Sequence, residues 1–468
     1  MPLPAKEVSS SRSRLKGKGH SAAASEIVRL ASLFPPHGHL VESVVECHGS
    51  VSVACPASPA WRQHALGWQF DHDAPSSGLD HARGSPMKIV IAPDSYKDAL
   101  SAREATVAIA AGCARILPQA QLIQCPMGDG GEGTLDALLA ATGAERRVTE
   151  VHDALGRPIS ASWGWHAASA TAYVELAEAS GLQALADAER TALHSTTLGV
   201  GELIRDALDA GAKRLILTLG GSATNDAGAG MLAALGARLL DAEGQPLPPG
   251  GAALAQLNEL DLSDLDPRLA TLKVDTAVDV DNPLLGERGA SAIFGPQKGA
   301  TPTDVTQLDA ALAHFADHVA SALGTDHRTL PGAGAAGGMG FAAAAFLGAR
   351  LQPGIELVMN QVDFDRLLEG ADLVITGEGQ LDGQSLAGKT PVGIARRARQ
   401  YGVPTLALAG RLGNGWQAVH DEGIEAAFAL ADGPLALPEA LERTAELLAD
   451  RAESLLRVWQ LAGRQAPR

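Results

Sequence analysis

Cysteine is scarce in this chain. Only four of its 468 residues are cysteine (Cys47, Cys55, Cys113, Cys125), and they form neither a Cys-x-x-Cys pair nor a Cys/His spacing suited to a metal. That usage excludes a structural zinc site and points to a reducing, cytoplasmic compartment. A long apolar run is missing too. The longest small-apolar stretch, "AAGGMGFAAAAFLGA" around 335 to 349, falls short of the roughly 20 residues of helix that cross a bilayer. Its alanines and glycines instead suit a tightly packed buried helix. Positive charge is in deficit, with 37 Lys and Arg against 54 Asp and Glu and a formal net charge of −17. Such a field repels phosphate backbones, so nucleic acid and anionic membranes are excluded as partners, whereas a small anionic substrate can still bind where basic residues converge. What the chain does have is 46% hydrophobic residues and a mean hydropathy of +0.04, enough for a soluble globular enzyme of roughly two to four domains with a sizeable core.

Residues 1 to 86 differ from the rest. "SSSRSRLKGKGHSAAAS", "FPPHG" and "DAPSSGLDHARGSP" carry no sustained apolar periodicity, and the expectation is a disordered extension or an over-extended gene start. From Met87 a different pattern begins. "KIVIA" is a short apolar strand. Ser101-Ala-Arg-Glu104 is a capping box that opens a helix ending at Pro118. "QLIQCP" gives a second strand, "GDGGEGT" its exit loop, and a helix follows from about Thr134. The stretch "RRVTEVHDALGRPISASWGWHAASATAYVEL" has the alternation and turns of antiparallel strands. "RLILTLGG" is a buried strand, and the segment from Thr301 is a helix with Pro302 at its first position and Gly324 as its stop. Strand and helix alternate again in "DLVITGEG", "PTLALAG" and "AAFALA". The expected architecture is α/β: a Rossmann-like parallel-sheet domain (87–140 and 355–468) with a second α/β domain (141–354) inserted in it.

The chemistry is expected at the strand ends. "KIVIA" runs into "PDSYK", "QLIQCP" into "MGDGGEGT", "RLILTL" into "GGSATNDAGAG" and "DLVIT" into "GEGQLDG"; ligands of open α/β sheets bind outside the carboxyl ends of strands. Each loop also has a plainer reading: glycines make tight turns, Asp226 caps a helix, and Lys97 is a surface lysine. "DVDNP" begins like a calcium loop but lacks the glycine at its sixth position, which rules out an EF-hand. Together the loops hold what phosphoryl transfer needs: glycine amides for phosphate oxygens, lysines for developing charge, and carboxylates for Mg²⁺ or the attacking hydroxyl.

"GQSLAGKTP" (383–391) matches the phosphate-loop pattern G-x-x-x-x-G-K-[ST]. A true P-loop follows directly on a strand. The strand expected at Asp372–Thr376 stops too early, and an N-cap at Thr390 with Pro391 at the first helical position leaves Lys389 in the loop, so a P-loop is not expected.

With these residues assembled, the chain resembles the bacterial glycerate kinase family. The resemblance runs from about Met87 to the end and is carried by "MKIVIAPDSYKDALSA", "GDGGEGT", "GGSATNDAGAGM", "DVDNPLLG", "FGPQKGA", "GAGAAGGMG" and "DLVITGEGQLDGQSLAGKTPVGIA". Tyr96 stands where the family has Phe, Ser385 where it usually has Thr, and Asp98-Ala99 also depart from its pattern. The resemblance implies ATP, Mg²⁺, and phosphorylation of D-glycerate on its 2-hydroxyl in an interdomain cleft. On that basis Asp226, Asp129 and Lys97 are the catalytic candidates. Asp94, Ser95, Gly130, Gly131, Glu132, Gly220, Gly221, Ser222, Thr224, Asn225, Gln297, Lys298, Gly377 and Lys389 are candidates for substrate and phosphate, and Asp279 and Glu378 for the metal. A kinase of another short hydroxy acid or sugar acid, and a non-catalytic phosphometabolite sensor, are the competing readings.

Overall fold

The computed structural model describes residues 86–465, which belong to one compact unit; the expectation for the N-terminal extension lies outside the described residues. Five parallel strands make the first sheet: β1 (Lys88–Pro93), β2 (Gln121–Gln124), β11 (Leu373–Leu381), β12 (Thr405–Leu412) and β13 (Ile424–Ala429), in the order β13-β12-β11-β1-β2. The chain moves outward from β1 to β2 in one direction and from β11 to β13 in the other. The crevice above β1 and β11 is therefore a topological switch point.

The second sheet, of order β10-β9-β6-β5-β4-β3, is built from β3 (Glu145–His152), β4 (Pro158–His166), β5 (Thr171–Glu175), β6 (Arg214–Thr218), β9 (Lys273–Ala277) and β10 (Arg350–Gln352). β3, β4 and β5 pair antiparallel, as their alternation implied, and the remaining pairs are parallel. A small ribbon of β7 (Arg238–Leu240) and β8 (Glu259–Asp261) completes the strands.

The helix boundaries follow their sequence signals. Ser101 and Glu104 make the reciprocal capping box of helix Ala102–Ile116, and Thr301 caps Pro302–Leu323, which stops at left-handed Gly324. The alanine-rich helix Ala335–Leu347 is buried as expected, but its first turn is broken by Ala336, Gly337 and Gly338, all at positive φ. A Cβ on Gly337 would stand 2.0 Å from the Thr224 carbonyl oxygen, so this turn accommodates the loop after β6. Helices Thr134–Thr142 and Gly354–Gln361 lie where the two sheets meet. Leu135, Leu138, Ile355 and Val358 share one apolar cluster with Val90 and Ala92 of the first sheet and with Tyr173, Ile216 and Ala277 of the second. Each fully buried side chain of this kind contributes about 1.5–3 kcal/mol, so the sheets are joined by a common core.

Candidate active site

Three loops converge at the switch point. Asp94 follows β1, and its backbone N–H donates to Gly377 O of β11 at 2.8 Å. Its carboxylate accepts from Ser95 N at 2.6 Å and from the Thr390 hydroxyl. β11 and β12 stay paired beyond the last residue of β1, through Glu378↔Ala409 to Leu381↔Leu412, and this overhang carries Glu378 into the crevice. Glu378 Oε1 accepts from Ser385 Oγ at 2.7 Å, and Lys389 Nζ lies 4.0 Å from its other oxygen. Asp129 sits in the loop after β2, where Oδ1 accepts from Gly131 N at 3.1 Å.

The second sheet presents its strand ends to the same loop. Gly220 N, just past β6, donates to Gly130 O at 3.0 Å. Beyond β9, Asp279 Oδ1 accepts from Gly354 N at 2.8 Å. Four carboxylates, Asp94, Asp129, Asp279 and Glu378, thus come together from both sheets, with Asp129 acting on the other three. Burial first, then the charge of Asp129, pushes Asp94 up to about 7 against the pull of the Thr390 hydroxyl. Asp279 is exposed at the crevice; the protein mass packed around it, against the pull of the Gly354 amide and with the charge of Asp129 adding, raises its carboxyl to about 7. Glu378 also rises to about 7, mainly through burial, with Ser385 and Lys389 opposing and Asp129 and Asp382 adding. A concentration of groups that titrate near neutrality inside a crevice marks a functional site.

Other expected site residues lie elsewhere. Asp226 is fully buried, and its two oxygens accept from Thr197 N (2.8 Å), Thr197 Oγ1 (2.9 Å), Gly228 N (3.1 Å) and Gly230 N (3.1 Å). With both oxygens taken it caps the helix Ala229–Ala234 and ties down the Thr197 turn, and burial still holds its carboxyl above the usual range. To act as the catalytic base expected from the sequence, Asp226 would have to give up some of these bonds. Lys298 is 1% exposed and spans two loops, donating to Ser222 Oγ (2.9 Å) and Thr224 O (2.7 Å). Burial lowers it to about 7, opposed by the charge of Asp226. Beside it Asn225 Nδ2 donates to Ser291 Oγ, while Asn225 Oδ1 and Thr224 Oγ1 are buried without partners. Ser222, Thr224, Asn225 and Lys298 therefore form a buried knot behind the exposed Gly221. Lys97, Glu132 and Gln297 are exposed, and Ser95 is half-buried.

The phosphate-loop question is answered on different grounds from those expected. β11 runs to Leu381, well past Thr376, so the gap before Gly383 is a single residue. The N-cap is Lys389 and the helix begins at Thr390, whose hydroxyl turns away to Asp94. What excludes a P-loop is where the loop amides point. Gly383 N donates to Asn414 O, Gln384 N to Asp382 Oδ1, and Ser385 N to Asp382 O; Gly388 N and Lys389 N donate to Ser385 O. A P-loop holds such amides open for phosphate.

Sequence reading missed Glu175, Ser385 and Thr390. The two hydroxyls stood in a stretch taken for its glycines and lysine. Glu175 ends a strand that no glycine-rich loop follows.

The family model described as Glycerate kinase family matches residues 89–460. The chain belongs to the glycerate kinase family. It is 48% identical over 354 residues to glycerate 2-kinase of Escherichia coli (strain K12), covering 76% of this chain and 93% of that one. The glycerate kinase of Halalkalibacterium halodurans is 46% identical over 367 residues, 78% of this chain and 97% of its own. A crystal structure described as that of a putative glycerate kinase 2 from Salmonella typhimurium LT2 superposes with a TM-score of 0.74 at 45% identity, covering 82% of this chain and all of that one. Several of the glycerate kinase motifs read from the sequence, "GDGGEGT", "GGSATNDAGAGM" and "GEGQLDGQSLAGKTP" among them, fall on the segments just described, whereas "GAGAAGGMG" runs into the buried helix Ala335–Leu347. Tyr96, which departs from the family pattern, is buried and donates its hydroxyl to Leu408 O at 2.6 Å.

Proposed function

We propose that the protein transfers the γ-phosphoryl group of ATP to the 2-hydroxyl of D-glycerate, giving 2-phosphoglycerate and ADP, in the crevice between the two sheets. Membership of a family of ATP-dependent kinases supplies the reaction class. The observation that carries the site is the convergence of Asp94, Asp279 and Glu378 on Asp129. In this reading the first sheet belongs to a Rossmann-like domain (87–140 and 355–468) and the second to an α/β domain (141–354) inserted in it.

In this reading Asp129 accepts the proton of the attacking hydroxyl. It comes from the first sheet's loop and faces the second, and it is half-buried, which leaves it accessible to substrate. Asp94, held by Thr390 and Ser95, orients the hydroxyl, and a group near 7 suits proton movement at neutral pH. Lys389 beside Glu378 and the exposed Lys97 screen the phosphates, and the exposed backbone at Gly221 lines them, while Gly130, Gly131 and Gly220 spend their amides on holding the loop.

The donor set fits Mg²⁺. Among the described residues no group of three or more His, Cys, Asp or Glu side chains is close enough to cage a metal. Mg²⁺ is held by one or two carboxylates together with substrate phosphates and waters, not by an all-protein cage. Asp279 and Glu378 would hold it, and when bound it neutralises charge on the transferred phosphoryl oxygens. Buried, unlinked Cys113 and Cys125 agree with a cytoplasmic setting, and among the described residues no helix is long and apolar enough to cross a membrane.

The test is ³¹P NMR of the product made by the full chain from D-glycerate, ATP and Mg²⁺. A 2-phosphoglycerate resonance is expected. Formation of 3-phosphoglycerate alone would overturn the regiochemistry, and folded protein giving no product would overturn the activity.

A further inference from the structure

Helix Thr134–Thr142 begins at Gly133, which has φ 85° and no side chain with which to cap it. The first amides of a helix lack intrahelical partners and need acceptors from elsewhere. Here the acceptor comes from the other sheet. Glu175, the last residue of β5, is 3% exposed, and its two oxygens accept from Gly133 N at 3.0 Å and Leu135 N at 2.8 Å. Burial pushes its carboxyl up to about 7, the two amides oppose that rise, and Glu178 and Asp136 add to it.

The loop carrying Asp129 hangs from the turn that Glu175 holds. Thr134 N donates to Gly131 O at 3.2 Å, and Gly130 N donates back to Thr134 Oγ1 at 3.1 Å. The Asp129 carboxylate closes on Gly131 N one step further along. A chain of hydrogen bonds therefore runs from Glu175 through the first residues of the helix to Asp129.

We propose that Glu175 is a positioning residue for the phosphoryl-transfer reaction: from the second sheet it sets the place of Asp129 in the first. It makes no contact with substrate. Its two bonds fix the start of the helix, and the helix start fixes the loop. This inference rests on the role given to Asp129 above, and the experiment separates the two.

Steady-state kinetics are measured for the full-length wild type, Glu175→Gln, Asp129→Asn and the double variant, with urea unfolding of each. Glutamine keeps the shape of the side chain but turns an NH₂ group toward one of the two amide donors. The expected losses in kcat are about tenfold for Glu175→Gln and on the order of 100-fold for Asp129→Asn, with KM for glycerate moving less than about threefold. Because Glu175 acts through Asp129, the double variant should fall within about threefold of Asp129→Asn alone. Additive losses, with the double variant about tenfold below Asp129→Asn, would make Glu175 a general structural cap and overturn the proposal, as would an unchanged kcat in Glu175→Gln. An unchanged kcat in Asp129→Asn would instead overturn the role of Asp129. Should Glu175→Gln lose its cooperative unfolding transition, Glu175→Asp, which keeps the charge one methylene short of the amides, enters the same cycle with the same reading.

Discussion

Gly220→Ala is the sharpest test of how the two sheets build the crevice. A Cβ at Gly220 would stand 2.4 Å from Gly131 Cα, 2.7 Å from Gly130 O and 3.0 Å from Gly131 N. All three are backbone atoms, which cannot swing aside as the end of a side chain can. Ordinary carbon–carbon contact begins near 3.5 Å, so the loops must part by about 1 Å. The bond from Gly220 N to Gly130 O would open with them. Overpacking of this kind costs about 1–3 kcal/mol, a loss the shared core of the sheets can absorb. The activity should suffer far more, because a displacement of ~1 Å in a reacting group costs roughly 100-fold in rate, and the loop that moves carries Asp129. Urea unfolding and a coupled ADP-release assay measure the two effects side by side. Gly211→Ala is the control: Gly211 has positive φ, at +92°, which Gly220 does not, and nothing lies within 4 Å of its Cβ position, so that substitution costs backbone strain without any steric clash. A Gly220→Ala enzyme with kcat/KM within threefold of wild type would refute the idea that this contact sets the geometry of the site.

Asp226→Asn should act on stability more than on chemistry. One of its oxygens becomes an NH₂ group facing donors, which costs about 2–4 kcal/mol in urea unfolding, and a large fall in kcat at unchanged stability would return Asp226 to the reaction. Lys298→Met tests a proton balance: the folded amine titrates near 7 instead of the ordinary 10.5, so between those values the unfolded chain binds the extra proton and wild-type stability rises with pH. That rise, followed by urea unfolding at pH 7, 8 and 9, should be absent in the variant. Mg²⁺ alone should raise the unfolding temperature little, since the described carboxylates form no metal cage, whereas Mg²⁺ with ATP should raise it in proportion to binding; a full effect from Mg²⁺ alone would contradict the ligand set proposed for it.

The strands and most helix ends were legible because their causes are local. Ser101 and Glu104 lie one helical turn apart, as do Thr301 and Asp304, and their reciprocal bonds form as the pattern predicts. β11 was read too short because "GEGQL" has the composition of a loop; its last residues are strand only because β12 pairs with them. Asp226 shows the same limit. Its helix cap is visible in sequence, but the donors from Thr197 lie 29 residues away, and nothing local reveals that its oxygens are already taken. Glu175 escaped for a related reason: the amides it holds lie 40 and 42 residues away in the chain.

The glycines of the site take on a second meaning in this light. Read from sequence, Gly130 belongs to a phosphate cradle, and Gly354 has no role. In the fold, Gly354 has its Cβ position 1.8 Å from Asp129 O, and that of Gly130 is 2.8 Å from Ala277 Cβ. The N–H of Gly354 donates to Asp279 while its α-carbon lies against the Asp129 backbone. A side chain at either position would separate the end of β9 from the loop after β2, and with it Asp279 from Asp129. The mutual repulsion of those carboxylates is tolerated because backbone packing, not attraction between the side chains, brings them together. Glycine thus supplies the close approach, and the approach supplies the charge density that a cation and a phosphoryl group can exploit.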